Sequence, residues 1–144
     1  MPYLDVHLDA DLAVTLDEDR PGTLAKALGC VSQAGINIDG YAEIGGVVHV
    51  LSPDLRAAHT CLEQSHFRIV QEHRVVVVAV ADEPGAAARV FQKLAESHIN
   101  IKYSYLATRN RLVIATDNSD AAIKVLTTGP DAVTRHAPQR LAEP

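Results

Sequence analysis

Two runs of apolar residues have the spacing of buried strands, and each leads into a helical pattern. The runs cover residues 12–16 and 75–81, and the second is almost entirely Val and Ala, as in a strand buried on both faces. An Asp-x-Pro-Gly segment follows each run, and Pro there is predicted to occupy the first helical position. Apolar residues then recur with the helical period, at Leu24, Ala27, Leu28 and Val31 and again at Ala87, Val90, Phe91 and Leu94.

The residues that follow each predicted helix in the sequence have the pattern of a β-hairpin, a second helix and a final strand. Gly35 and His98 follow the two helices, where a positive φ is expected. Helices are predicted from Pro53 to Leu62 and from Ser119 onward. Strands are predicted at residues 38–42, 47–51 and 67–72 in the first half, and at 101–107, 111–116 and, more weakly, 131–137 in the second.

The motif residues occur twice at a constant distance along the chain. Asp19 is matched by Asp82 and Asn37 by Asn100, an offset of 63 residues in both cases. A period of this size that is present only twice indicates a duplicated domain. The predicted fold class is therefore α+β, with two ferredoxin-like βαββαβ units whose antiparallel sheets carry their helices on one face.

The repeat also predicts the domain boundaries. The two repeated units are expected at residues 10–72 and 73–137, with a flexible tail at 138–144. Leu4, Val6 and Leu8 alternate with polar residues, which predicts an extra strand within residues 1–9. We expect this strand to extend the first strand or to cover a sheet edge.

Composition and charge exclude several kinds of function. The net charge of −5, with scattered Lys and Arg, argues against nucleic-acid binding, even though Tyr103 and Tyr105 would suit base stacking. Neither a membrane span nor a secretory signal is visible, so a cytoplasmic location is expected. Cys30 and Cys61 are expected to be buried, reduced thiols. The seven histidines show no metal-ligand spacing and no catalytic motif is present, so no metal, cofactor or enzymatic activity is predicted.

The repeated residues have the chemistry to bind a small zwitterion. A helix N-terminus attracts a carboxylate, and Gly22 and Gly85 would let a ligand approach the backbone closely. Asp19 and Asp82 could accept an ammonium group, and the paired Asn side chains offer a donor and an acceptor. Since a helix of about 20 Å separates the two motifs of one copy, the site is expected at an interface between repeats or chains. The alternative is that Pro-Gly only starts the helix and Asn only caps a turn.

The segments Asp-Arg-Pro-Gly-Thr-Leu-Ala and Ala-Gly-Ile-Asn-Ile resemble the ACT domain, as do Asp-Glu-Pro-Gly and Ser-His-Ile-Asn-Ile in the second copy. The resemblance covers about 120 residues and implies an amino-acid-binding regulatory module without chemistry of its own. It implies a free amino acid as ligand and a regulated enzyme or regulator in trans as partner. The small size of the units and their exposed sheet edges also predict a homo-oligomer, expected to be a homodimer. The ligand-binding residues that the resemblance implies are Asp19, Arg20, Pro21, Gly22, Thr23, Asn37, Ile38, Asp82, Glu83, Pro84, Gly85, Ala86, Asn100 and Ile101.

The sequence departs from the family pattern at one position. Members of the family often have a polar residue two positions before the loop Asp. That position is Asp17 in the first copy, but it is the apolar Val80 in the second. The second copy is therefore expected to bind differently or not at all. A dimerising adaptor that kept the fold and lost the ligand is the alternative function.

Overall fold

The computed structural model describes residues 5–128 and divides into two compact units. The first unit is Ala10–His73, and the described part of the second combines residues 5–9 with residues 74–128. The elements in chain order are β1 (Asp5–Thr15), α1 (Thr23–Gln33), β2 (Gly40–Ile44), β3 (Val47–Leu51), α2 (Leu55–Gln64), β4 (Arg68–Ala79), α3 (Ala86–Glu96), β5 (Ile101–Ala107), β6 (Arg111–Thr116) and α4 (Ser119–Thr127). None of the described helices is long and apolar enough to cross a membrane.

Each unit has the strand order of a ferredoxin-like fold. The order is β2-β3-β1-β4 in the first unit and β1-β4-β6-β5 in the second, and both hairpins are antiparallel. The long strands β1 and β4 cross the unit boundary, so each contributes one half to each unit. The predicted fold class, α+β with ferredoxin-like units, is confirmed.

The N-terminal part of β1 belongs to the second unit. β1 runs without a break from Asp5 to Thr15, so the predicted N-terminal strand is an extension of the first strand. Its residues 5–9 belong to the second unit, where Val6 is fully buried in the core. The weak final strand predicted at residues 131–137 and the tail at 138–144 lie outside the described residues.

Each unit has its own apolar core between helices and strands. Ala, Val and Leu side chains of α1, α2 and β1 form the first core. Ala, Val, Leu and Ile side chains, mainly from α3, α4, β4, β6 and residue 6, form the second. Burial of this apolar surface is the main force that holds the helices on the strands. The fully or almost fully buried residues include Leu12, Val14, Val31, Ala58 and Leu62 in the first core and Val6, Val76, Val90, Leu94, Ile114 and Leu126 in the second.

The Pro-Gly segments form turns and are not part of the helices. Gly22 has φ 95° and ψ −14°, and the Thr23 N–H donates to the Arg20 carbonyl oxygen at 3.3 Å. These values define a type II turn with Pro21 and Gly22 as its central residues, a pairing that this turn favours. The prediction that Pro occupies the first helical position is therefore wrong, because the left-handed glycine ends the turn before α1 begins. Gly85, with φ 86°, repeats the arrangement before α3.

The other predicted element boundaries agree closely with the structure. The strands predicted at 47–51, 101–107 and 111–116 are confirmed, and β2 begins two residues later than predicted. Gly35 and His98 have the expected positive φ, 78° and 59°. The sequence predicts two strands at residues 67–72 and 75–81, but residues 68–79 form one strand, β4, which continues through the polar residues between the two apolar runs.

The two cysteines lie next to each other between α1 and α2. Their Sγ atoms are 3.5 Å apart, and both side chains are half-buried rather than fully buried as expected. Burial, followed by the interactions with Cys30, raises the pKa of the Cys61 thiol to about 11. Cys61 is therefore almost entirely a neutral thiol near neutral pH.

We expect Cys61 to react slowly with thiol reagents. Only the thiolate is nucleophilic, so at pH 8 a pKa of about 11 should slow alkylation by roughly 100-fold relative to an ordinary cysteine. Site-resolved mass spectrometry after timed iodoacetamide treatment measures this rate, with the urea-unfolded protein as the control. Because the pKa is raised on folding, the stabilising contribution of the neutral thiol is lost as pH rises above about 8.5. Equal rates in the folded and unfolded protein would contradict the prediction.

Candidate ligand-binding site

A cleft of about 650 Å³ opens in the first unit beside the first Pro-Gly turn. One wall is the loop between β1 and α1, and the other is the turn that joins α2 to β4. The size suits a small metabolite. The lining residues are Thr15, Asp17, Glu18, Arg20, Pro21, Gly22, Thr23, Lys26, Ser65, His66 and Phe67.

The cleft reaches the N-terminus of α1, which carries no side-chain cap. Gly22 is the N-cap residue, and the first turn of α1 contains no acidic residue. In contrast, α2 is capped by Asp54, which accepts from the Ala57 N–H, and α4 is capped by Asn118. The first N–H groups of a helix need an acceptor and carry a partial positive charge. The start of α1 is therefore suited to an anionic group from outside the helix.

Charged side chains of both signs surround the cleft. Lys26 lies with its Nζ 5.8 Å from the centre of the Phe67 ring, a cation–π distance. Asp17 accepts a hydrogen bond from Arg68 at 2.8 Å, and this hydrogen bond, together with the charge of the carboxylate, raises the pKa of Arg68. Arg20 pairs with Glu18 at 2.9 Å. These exposed pairs add little stability, so they can rearrange around a charged ligand at small cost.

The start of α3 repeats the backbone geometry but not the surroundings. Gly85 is again an uncapped, left-handed N-cap residue. Arg89 folds back to Glu83 at 2.9 Å and lies 3.1 Å from the point where a Cβ at residue 85 would be. Val80 is buried in the second core, whereas Asp17 lines the cleft. The second copy therefore has its own cation at the position that is open in the first.

The structure brings together only part of the predicted site. Of the first-copy residues, those of the turn, residues 20–23, line the cleft, and Asp19 is exposed in the same loop. Asn37 and Ile38 follow the far end of α1, which spans about 16 Å at 1.5 Å per residue. Asn37 donates to Asp39 at 2.6 Å, and the Asn100 carbonyl oxygen accepts from the Asp117 N–H at 3.1 Å. Within a single unit, the two halves of the motif remain apart.

Several lining residues were missed from the sequence. Lys26 is one turn into α1, outside the repeated Pro-Gly segment, and Ser65, His66 and Phe67 belong to a turn with no recognisable motif. His66 has φ 68°, so this turn depends on a left-handed residue other than glycine. The predicted topology could have indicated this wall of the cleft, since a ferredoxin-like fold places the α2–β4 turn near the start of α1.

Two ferredoxin-like units, each with a Pro-Gly turn before an uncapped helix, define a tandem α+β domain protein. The chain belongs to the ACT domain family: the family model of the ACT domain pair matches residues 11–130. This range contains both Pro-Gly turns and every described helix and strand except the first residues of β1. Comparison with curated proteins returns no match.

Solved structures show the same fold over most of the chain. A protein from Bacteroides thetaiotaomicron is 27% identical, with a TM-score of 0.73, and the match covers 85% of this chain and 88% of the other. The ligand-free regulatory subunit of aspartate kinase from Thermus thermophilus is 20% identical, with a TM-score of 0.60 over 88% of this chain and 97% of the subunit. Aspartokinase III of E. coli, in complex with lysine and aspartate, is 19% identical with a TM-score of 0.56 over 88% and 33%.

Proposed function

We propose that the protein is a regulatory sensor of a free amino acid, which binds in the cleft at the first Pro-Gly turn. The observation that supports this most directly is the open, uncapped N-terminus of α1 at the base of the cleft. Membership of the ACT family and the likeness in fold to regulatory subunits of aspartate kinase agree with a regulatory role. We propose binding without catalysis, as expected for a regulatory module of this family.

The charges around the cleft give the ligand an orientation. Its carboxylate accepts from the free N–H groups of α1, with Lys26 and Arg20 as nearby cations. Its ammonium group lies against the acidic loop residues, Asp17 to Asp19. We propose that Asn37 and Ile38 contribute from a second subunit, because they are exposed or half-exposed and lie beyond the opposite end of α1 in their own unit.

The second copy is proposed as a weaker site or as a purely structural interface. Its residues Asp82, Glu83, Pro84, Gly85 and Ala86 repeat the turn, but Arg89 already lies over the helix start. Asn100 and Ile101 would then serve the dimer contact rather than the ligand. Amino-acid occupancy reaches a separate enzyme or regulator through the arrangement of the homodimer. The alternative is an adaptor that dimerises without a ligand.

Thermal unfolding with a panel of free amino acids tests the proposed function. A ligand at a hundredfold excess over Kd should stabilise the folded protein by about 2.7 kcal/mol, which corresponds to roughly 5–10 °C in Tm. The panel should pick out one amino acid or one closely related group. If none of them raises Tm at millimolar concentration, the adaptor function is favoured and the sensor is rejected.

A glutamate placed in the first turn of each repeated helix locates the binding site. Ala25 and Ala88 are exposed and are both the third residue of their helices, at the same place in the two copies. A25E and A88E should each stabilise the protein by roughly 0.3–1 kcal/mol through the helix dipole. Only A25E repels a carboxylate in the cleft, so Kd should rise about tenfold or more in A25E alone.

Isothermal titration of both variants with the amino acid found by the panel provides the measurement. A88E is the matched control, because it carries the same charge at the same helical position. Equal weakening by both substitutions would mean that the two copies bind alike. Weakening by A88E alone would place the ligand at the second copy and contradict the proposed location.

A further inference from the structure

Three strands of the first unit bring one aspartate and two histidines together. Asp11 lies on β1, His49 on β3 and His73 on β4, separated by 38 and 24 residues in the sequence. His49 lies opposite Ala13, two residues beyond Asp11 on the same face of β1. One ligand atom from each residue lies within 4.8 Å of the other two. No local spacing motif connects them, which is why the sequence predicted no metal site.

We propose that Asp11, His49 and His73 bind a divalent transition-metal ion, with Zn²⁺ as the best fit. The Asp11 carboxylate is completely buried, and burial of a charge requires compensation by opposite charge or by a metal. Both imidazoles direct a buried Nδ1 toward this carboxylate. Two imidazoles and one carboxylate form a donor set that zinc accepts and that Mg²⁺ and Ca²⁺ do not favour.

The distances between the imidazole nitrogens and the carboxylate oxygens are close to those between neighbouring ligand atoms around a zinc ion. His49 Nδ1 is 3.4 Å from one Asp11 oxygen, and His73 Nδ1 is 3.5 Å from the other. Both distances exceed the usual 2.7–3.2 Å of an N–H···O hydrogen bond. A tetrahedral zinc site with bonds of about 2.0–2.1 Å separates its ligand atoms by about 3.3 Å. The three side chains therefore need only small movements to coordinate an ion.

The surroundings leave access from solvent. The side chains of His49 and His73 are 18% and 26% exposed, while the carboxylate is closed off. The two ring centroids are 5.8 Å apart, and both Nδ1 atoms converge on the Asp11 carboxylate. Each ring would then carry its proton on Nε2. With three ligands from the described residues, water or a further ligand completes the coordination.

Metal binding would connect three strands of the first unit independently of the amino-acid cleft. The ion replaces the mutual contacts of the imidazoles and the carboxylate with bonds from all three strands to one centre. A site formed only in the folded state adds its binding free energy to stability. The protein should therefore melt at a higher temperature with zinc than after chelation.

Zinc titration of the full, tag-free chain after EDTA dialysis tests the proposal. We expect one Zn²⁺ per chain by isothermal titration, a rise in Tm with Zn²⁺ but not with Mg²⁺, and visible bands of tetrahedral Co²⁺ on cobalt substitution. H49Q and H73Q should each weaken zinc binding by at least tenfold. H59Q is the control, because His59 also contacts a carboxylate, that of Glu63 at 3.6 Å, but on α2 outside the cluster.

The outcomes separate a metal site from an ion pair. Melting of the metal-free variants shows whether each substitution preserves the fold, and the cobalt spectrum of the unsubstituted protein needs no variant. If zinc does not change Tm and its titration gives no heat of binding, the cluster is an Asp–His ion pair and the proposal is overturned. The proposal is equally overturned if H49Q and H73Q bind zinc as tightly as H59Q does.

Discussion

Replacement of Val6 by aspartate is expected to destabilise the protein by about 4 kcal/mol and to lower Tm by roughly 10 °C. Val6 is fully buried in the second core, although it lies at the start of the chain, almost 70 residues before the rest of that unit. V6D removes an apolar side chain from the core and puts a carboxylate without a counter-charge in its place. Scanning calorimetry of the full chain measures the loss.

The control for V6D is V70D. Val70 is also a strand residue, but its side chain is 52% exposed on β4, so the same substitution should cost less than 1 kcal/mol. Burial raises the pKa of the new carboxyl at position 6, so its neutral form is favoured in the folded state. The destabilisation by V6D should therefore shrink as pH falls from 7 to 4. Equal effects of V6D and V70D would show that residues 5–9 do not complete the second unit.

Much of the fold could be predicted because local rules and the repeat agree. Helical spacing, the hairpin glycines and the positive-φ positions Gly35 and His98 each depend on neighbouring residues alone. The continuity of β4 could not be predicted in this way, and that of β1 was one of two alternatives that the alternating residues 4–8 left open. Polar residues such as His73 interrupt the apolar pattern of β4, but the strand is continuous from Arg68 to Ala79. Because β1 is continuous, the same strand carries residues 5–9 into the second unit.

The candidate sites were less predictable, for two different reasons. The first Pro-Gly turn was recognised, but its geometry as a type II turn before the helix was not, because Pro is common both in turns and at helix starts. The second wall of the cleft comes from a turn about 45 residues later. Asp11, His49 and His73 meet only through strand pairing, and their spacing in the sequence gives no sign of it. Long-range contacts therefore determine both sites.

Leu62→Ala should destabilise the protein by about 3 kcal/mol and also weaken binding of the proposed amino-acid ligand. Leu62 is 1% exposed in the first core, on the helix that leads into the cleft wall. Its carbonyl oxygen accepts from the N–H groups of Ser65 and Phe67, at 3.2 and 3.0 Å. A cavity at this point loosens the last turn of α2 and with it the residues that line the cleft. We expect Kd for the amino acid to rise threefold to tenfold.

Leu126→Ala is the matched control for this coupling between core and cleft. Leu126 is equally buried, but on α4 in the second unit, so its removal should cost a similar 3 kcal/mol without changing Kd. Urea denaturation gives the two stabilities, and isothermal titration well below both melting temperatures gives the two affinities. If L126A weakens binding as much as L62A, binding responds to overall stability rather than to the α2–β4 turn. Binding weakened by L62A alone supports a ligand site built on the first core.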